Sequence, residues 1–241
     1  MNDRSIEIDG EIFFAKFIER PNRFLVKIII ENSKQIEAAF LHDPGRMKEL
    51  LLPNSTLVIR KAISIENRKT SWDVLGVIHN ERLIVINSSY PNVVAKEALS
   101  KHWIAEVMDY ELEKSEISVG KSRLDFLLKK GIEKAYVEVK GVTLVKDYTA
   151  FFPDAPTSRG TRHLQELIEL KKKGFRALIL FACMRNDAKK FSPNWDTDPD
   201  FSKQLAIAIE AGVEALVYLI EPKIIRKKIV LFFQNKIKID I

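Results

Sequence analysis

Ser122-Arg123-Leu124-Asp125-Phe126-Leu127-Leu128 and Ala135-Tyr136-Val137-Glu138-Val139-Lys140-Gly141 decide how the second half of this chain is read. Both are short runs, largely apolar, of the kind that forms strands, and both carry charge where a buried strand should not. In the second run, period-two alternation puts Glu138 and Lys140 on one face and Val137 and Val139 on the other. In the first, Asp125 stands between Leu124 and Phe126. The stretches 176–183 and 213–220 are mostly apolar and read as further strands of the same sheet, so their charged neighbours are enclosed. An unpaired buried charge costs on the order of several kcal/mol, so Asp125, Glu138 and Lys140 need partners or a cation. Two readings follow. One is a Glu138–Lys140 ion pair on an exposed sheet face, with Asp125 at a strand end. The other is a pair of carboxylates on adjacent strands holding a hard divalent cation. In that case Lys140 orients an attacking water or neutralises charge developing on a phosphate.

Working outward, the first ninety residues read as β-rich. Segments at 11–19, 24–31, 36–41, 55–61, 72–79 and 82–87 are rich in Ile, Val and Phe and bounded by turn formers such as Pro21-Asn22 and Asp43-Pro44-Gly45. Arg46 to Leu51 suffices for one or two helical turns. Short strands interrupted by one small helix suit a barrel of the OB type. The pattern changes at Ser88-Ser89-Tyr90-Pro91-Asn92. Ala95, Leu99, Trp103 and Val107 then predict a helix from 91 to about 107, followed by strands at 114–119, 123–128 and 135–144. Thr157 or Ser158 opens a second helix that Gly174 ends. A strand follows at 176–183, then a helix capped by Asp198-Pro199 and running to Gly212, then strands at 213–220, 225–233 and 236–241. The expected architecture is two domains: an OB-like β-barrel over 1–88 and an α/β domain with a mixed sheet over 89–241.

The 241 residues are enough for two cores. No apolar run approaches the ~20 residues a membrane-spanning helix needs, and MNDRSIEIDG lacks the basic start and apolar stretch of a secretory signal. A soluble, cytoplasmic protein without a membrane partner is expected. Cys183 is the only cysteine, which excludes an intramolecular disulfide, and its apolar surroundings mark it as a core residue rather than a nucleophile. Four scattered histidines give no structural zinc site. Residues 1–90 carry 13 basic and 12 acidic side chains, whereas residues 91–241 carry 26 and 21. The excess in the second half is compatible with a polyanionic partner.

Asp125 followed thirteen residues later by Glu138-Val139-Lys140 resembles the PD-(D/E)xK nuclease core. A preceding helix often supplies another carboxylate in that core, which points to Glu97, with Glu106 and Glu116 as weaker candidates. A longer set of blocks resembles the sugar fermentation stimulation protein A family over nearly the whole chain. It comprises Arg20-Pro21-Asn22-Arg23-Phe24, His42-Asp43-Pro44-Gly45-Arg46, Glu49-Leu50-Leu51, Ser122 to Leu128, Val137 to Leu144, Phe152-Pro153-Asp154-Ala155, Thr157, Arg159-Gly160, His163-Leu164 and Glu166-Leu167. Where relatives often have Ser after the Lys, this chain has Gly141. The resemblance implies an OB-like domain, a nuclease-like domain, DNA binding without sequence preference and a link to the regulation of sugar (maltose) metabolism.

The resulting site expectations are Asp125 and Glu138 as ligands of Mg2+ or Mn2+, with Lys140 and Glu97 completing a catalytic set. Arg20, Arg23, Arg46, Arg123, Arg159, Arg162 and His163 are the expected DNA contacts, with Asp154 a candidate near metal-bound water. Metal-dependent phosphodiester hydrolysis is the leading reading. A DNA-binding regulator that uses the same cleft without cleavage is its rival. The sequence leaves the oligomeric state open, a homodimer included.

Overall fold

The structure is a computed structural model that describes residues 4–63, 68–120 and 122–241. The chain divides into two compact units. Residues 1–90 and 221–232 form the first, and residues 91–220 and 233–241 form the second.

In the first unit, β1 (Ser5–Glu7) is followed by β2 (Ile12–Asn22), β3 (Leu25–Ile30), β4 (Ile36–Leu41), β5 (Thr56–Lys61), β6 (Trp72–His79) and β7 (Arg82–Val85). Strands β2 to β6 close into a barrel in the order 2-3-4-6-5. The β4–β6 contact is parallel (Ala39↔Trp72 to Leu41↔Val74) and the other pairings around the ring are antiparallel. Alternation sends Val26, Ile28, Ala39, Leu41, Leu57 and Ile59 to the interior, and a register shift in the β5–β6 ladder brings Val74 and Val77 to the same side. Closure leaves these strands no free edge inside the ring. The expected helix at 46–51 reduces to a single turn, in which the Leu51 N–H reaches the Met47 carbonyl. Pro53 lies too close behind it for a second turn.

The second unit opens with α1 (Tyr90–Ser100), a 3-10 turn at Ala105–Val107, β8 (Glu111–Val119), β9 (Ser122–Lys130), β10 (Glu133–Val142), β11 (Leu144–Lys146) and β12 (Thr149–Phe152). It continues with α2 (Ser158–Lys172), β13 (Arg176–Cys183), β14 (Lys190–Pro193), α3 (Pro199–Glu210), β15 (Glu214–Ile225), β16 (Lys228–Lys236) and β17 (Lys238–Ile239). The large sheet is mixed. β10, β13 and β15 run parallel, whereas β8, β9 and β10 form an antiparallel meander. A small side sheet takes the order β11-β12-β14-β17. Strands β15 and β16 are long, and their ends at 221–232 belong to the first unit, where β16 pairs with β1 (Ser5↔Phe232 to Glu7↔Val230).

Helix α1 stops at Ser100 rather than continuing to 107. His102 takes a positive φ of 56° and the Trp103 N–H turns back to the Ala98 carbonyl. Trp103, Ile104 and Val107 are nevertheless buried, so the apolar spacing that suggested a longer helix reports burial through a corner. The strand expected at 135–144 is divided at Thr143 into β10 and β11. The side sheet was not anticipated, because its strands are two to four residues long and too short to show a period. Helix α2 is capped by Thr157, whose side chain accepts from the Gly160 N–H, and the chain leaves it through Gly174 at φ 85°. Helix α3 is capped by Asp198 and has Pro199 in its first turn, as expected. Cys183 is buried in the core and its thiol is pushed up to about 12 by burial, so it is no nucleophile. No helix among the described residues is long and apolar enough to cross a membrane.

Candidate metal and phosphate site

Strand β10 lies between β9 and β13, and helix α2 packs over the face that carries Glu138. The β9–β10 ladder runs from Glu133↔Lys130 to Val137↔Phe126. The next pair in that register would be Asp125 with Glu138, which brings both carboxylates to one place, since directly opposed residues share a face. There the ladder gives way to side-chain bonding. Asp125 Oδ2 accepts the Val139 N–H at 2.7 Å, and Oδ1 accepts from Asn92 Nδ2 at 2.7 Å at the start of α1.

Glu138 is 2 % exposed. Its Oε1 accepts from both the Lys140 ammonium and the His163 ring at Nδ1. Its Oε2 is equally buried and has no hydrogen-bond partner among the described residues. A carboxylate held at one oxygen and bare at the other is an expensive arrangement for a fold that does nothing with it. The two carboxylates are driven in opposite directions. Burial, with the nearby charge of Glu138, raises the Asp125 pKa above the usual range. Burial also opposes ionisation of Glu138, but the His163 hydrogen bond and the Lys140 charge outweigh it and lower the pKa.

His163 is buried on the inner face of α2 beside Leu164 and Leu167. Its Nε2 accepts from Arg159 Nε at 3.3 Å, one helical turn earlier. From the sequence, His163 is expected to contact DNA. Its placement makes it a partner of Glu138, and the detectable signal was a histidine on the apolar stripe of α2. Asn92 was missed entirely, because it read as part of a turn.

Of the remaining expected residues, Glu97 is not brought to the site. It pairs with Lys101 at 2.6 Å along α1. Glu106 is held by Tyr218 and Lys236, and Glu116 by Arg123 at 3.5 Å. Among the described residues no group of three or more His, Cys, Asp or Glu is arranged to hold a metal. A cation here would therefore depend on the two carboxylates and keep several waters, which suits a hard divalent ion. Asp154 sits half-buried in the loop before α2, Arg159 and Arg162 are exposed at that helix's start, and Arg162 Nε donates to Ser122 Oγ at 3.2 Å.

On the barrel, the expected DNA contact Arg20 is used differently. Its guanidinium donates to the carbonyls of Gly45, Arg46, Arg23 and Asp43, at 2.7 to 3.1 Å, and so fastens the end of β2 to the following turns. Arg23 and Arg46 are exposed. Phe24 is 46 % exposed and stacks on Phe40. His42 lies 5.7 Å from the Phe40 ring, and Arg68 sits 5.4 Å over it.

A family model described as the sugar fermentation stimulation protein RE domain matches residues 89–224, and one described as the SfsA N-terminal OB domain matches residues 18–86. The chain belongs to the sugar fermentation stimulation protein family. A homolog from Methanothermobacter thermautotrophicus is 41 % identical over 216 residues, 90 % of this chain and 89 % of that one. A homolog from Clostridium botulinum is 44 % identical over 214 residues, 88 % of this chain and 92 % of that one. Among solved structures, Pyrococcus furiosus SfsA in complex with Ca2+ superposes with a TM-score of 0.87 at 28 % identity, covering 98 % of each chain. The OB assignment of the barrel thus agrees with its strand order, and this family's two domain models fall one in each half of the chain.

Proposed function

We propose that the chain is a DNA-binding protein whose second unit holds a divalent cation at Asp125 and Glu138 and uses it in phosphodiester hydrolysis. The observation that carries this reading is the buried, unpartnered Oε2 of Glu138, next to a second carboxylate. The pattern Asp125, Glu138, Lys140 is that of a PD-(D/E)xK site, and the Ca2+ in the Pyrococcus relative supports a hard divalent ion, with Mg2+ or Mn2+ as the working metal. The donors fit such an ion, being carboxylate oxygens only. When bound, it would polarise a phosphoryl oxygen and acidify a water. The chain's own groups do the rest. Asp125 and Glu138 hold the cation. Lys140 lies outside the ligand set, because an ammonium has no lone pair, and it supplies positive charge to the phosphate. Arg159 and Arg162, at the N-terminal turn of α2, offer further cationic contacts to the strand. On the barrel, Arg23, Arg46 and Arg68 with the Phe24–Phe40 pair offer charge and a stacking surface.

A second reading, DNA binding without cleavage, is favoured by one observation: Glu97 is spent on Lys101, which leaves two carboxylates. A cleavage assay on single- and double-stranded DNA with Mg2+ or Mn2+ separates the two. Hydrolysis that Asp125→Ala abolishes supports the enzyme. Binding of DNA and cation with no cleavage supports the alternative, and failure to bind any divalent cation overturns the site.

A further inference from the structure

A metal-binding carboxylate works only if its orientation is fixed, and partners behind such ligands commonly control metal affinity by about 10–100-fold. Behind Glu138 stands His163, 2 % exposed and on a different element. Its two ring nitrogens have different jobs. Nε2 accepts from Arg159 Nε, and a guanidinium can only donate, so Nε2 carries a lone pair. Nδ1 carries a proton that it donates to Glu138 Oε1, since a carboxylate can only accept, and Lys140 Nζ lies 3.5 Å from the same nitrogen. The Arg159 bond uses Nε alone, and its terminal nitrogens make no hydrogen bond among the described residues.

We propose that His163 is a positioning residue: held between Glu138 at Nδ1 and Arg159 at Nε2, it anchors Oε1 of Glu138 and thereby presents Oε2 to the cation. The inference rests on the cation reading above and gives His163 a role that DNA contact would not. Lys140 also reaches Oε1, but it is a flexible four-carbon chain on the same strand, two residues away, and its ammonium imposes no direction. The imidazole is rigid and comes from a helix, so it fixes the carboxylate plane against β10.

The test measures Ca2+ binding to the full chain by calorimetry, and the ring state by 15N NMR of histidine-labelled protein at neutral pH. An Asn amide can place a donor where Nδ1 sits, whereas a Gln amide reaches the Nε2 position instead. His163→Asn should keep Ca2+ affinity within about threefold of wild type. His163→Gln should weaken it by about tenfold or more, in line with the loss of an orienting partner. Thermal midpoints without metal identify any variant that fails to fold, and the surface change Arg159→Ala gives a test that leaves the core intact. The wild-type ring should carry a proton on Nδ1 facing Glu138, and Arg159→Ala should perturb the Nε2 resonance alone. Unchanged Ca2+ affinity in folded His163→Gln, or a wild-type proton on Nε2, overturns the positioning role while leaving the cation site standing. Absence of Ca2+ binding by the wild-type chain overturns the cation reading, and the positioning role with it.

Discussion

Ionisation of Asp125 is opposed by its surroundings, since burial and the Glu138 charge both raise its pKa. An acid whose folded pKa lies above its unfolded value destabilises the fold once ionised. The penalty is absent below the unfolded pKa of about 3.9 and present in full above the folded value. Asp125→Asn should therefore raise the thermal midpoint in metal-free buffer at neutral pH, and the gain should shrink as the solution is acidified. Added Ca2+ should stabilise the wild type and not the variant; a scan in which Ca2+ lifts both alike would contradict this. Glu138 has the opposite sign, so its contribution is present above the unfolded pKa and is lost as pH falls through the lowered folded value. Arg20 gives a second prediction. Because it holds four backbone carbonyls, Arg20→Ala should cost about 3 kcal/mol, the scale of one or two lost charge-assisted hydrogen bonds. Exposed Arg23→Ala should change stability by no more than about 0.5 kcal/mol and weaken DNA binding instead. Denaturant midpoints beside DNA titrations decide it. The candidate carboxylates were legible because a charge among the apolar residues of a strand stands out, Asp125 on β9 and Glu138 on β10. Asn92 and His163 were not, since they arrive from helices 33 and 25 residues away from the carboxylates they serve.

The start of α1 rests on β10 at Gly141, where an added Cβ would lie 2.6 Å from Pro91 Cγ. Gly141→Ala should push α1 away and loosen the Asn92–Asp125 bond. Overpacking of this kind costs about 1–3 kcal/mol, and Ca2+ affinity should fall with it. Retention of both would show that the helix yields elsewhere. The caps of α2 and α3 are joined, because Asp198 Oδ1 accepts from Phe201 and Oδ2 accepts the Thr157 N–H at 2.7 Å. Thr157→Ala should cost about 1 kcal/mol, as a single cap does, and Asp198→Ala about 2 kcal/mol, since it leaves donors on two helices bare. Equal losses in urea melts would refute the shared cap. These caps were readable as residue types at the right positions, and so were the barrel strands, whose alternation is long enough to count. The side sheet was hidden, because β12 and β14 are each four residues long and find each other only in space.

If the chain holds DNA through phosphates, its affinity should fall steeply and linearly with salt on logarithmic axes, since each neutralised phosphate releases counterions. Removing Arg159 and Arg162 together should lower that slope by about two; a slope near zero in the wild type would exclude phosphate contacts as the basis of binding. The division of the molecule has a further effect on how it comes into being. The partner of β1, β16, is made long after it, and the stretch 221–232 that completes the first unit is separated from residues 1–90 by residues 91–220 of the second. A chain emerging from the ribosome can close its barrel early, but β1 must wait, unpaired, until β16 has been made. Nascent chains arrested before residue 228 should leave β1 sensitive to protease, and it should become protected once β16 has emerged, so a strand made early is tied down by one made much later.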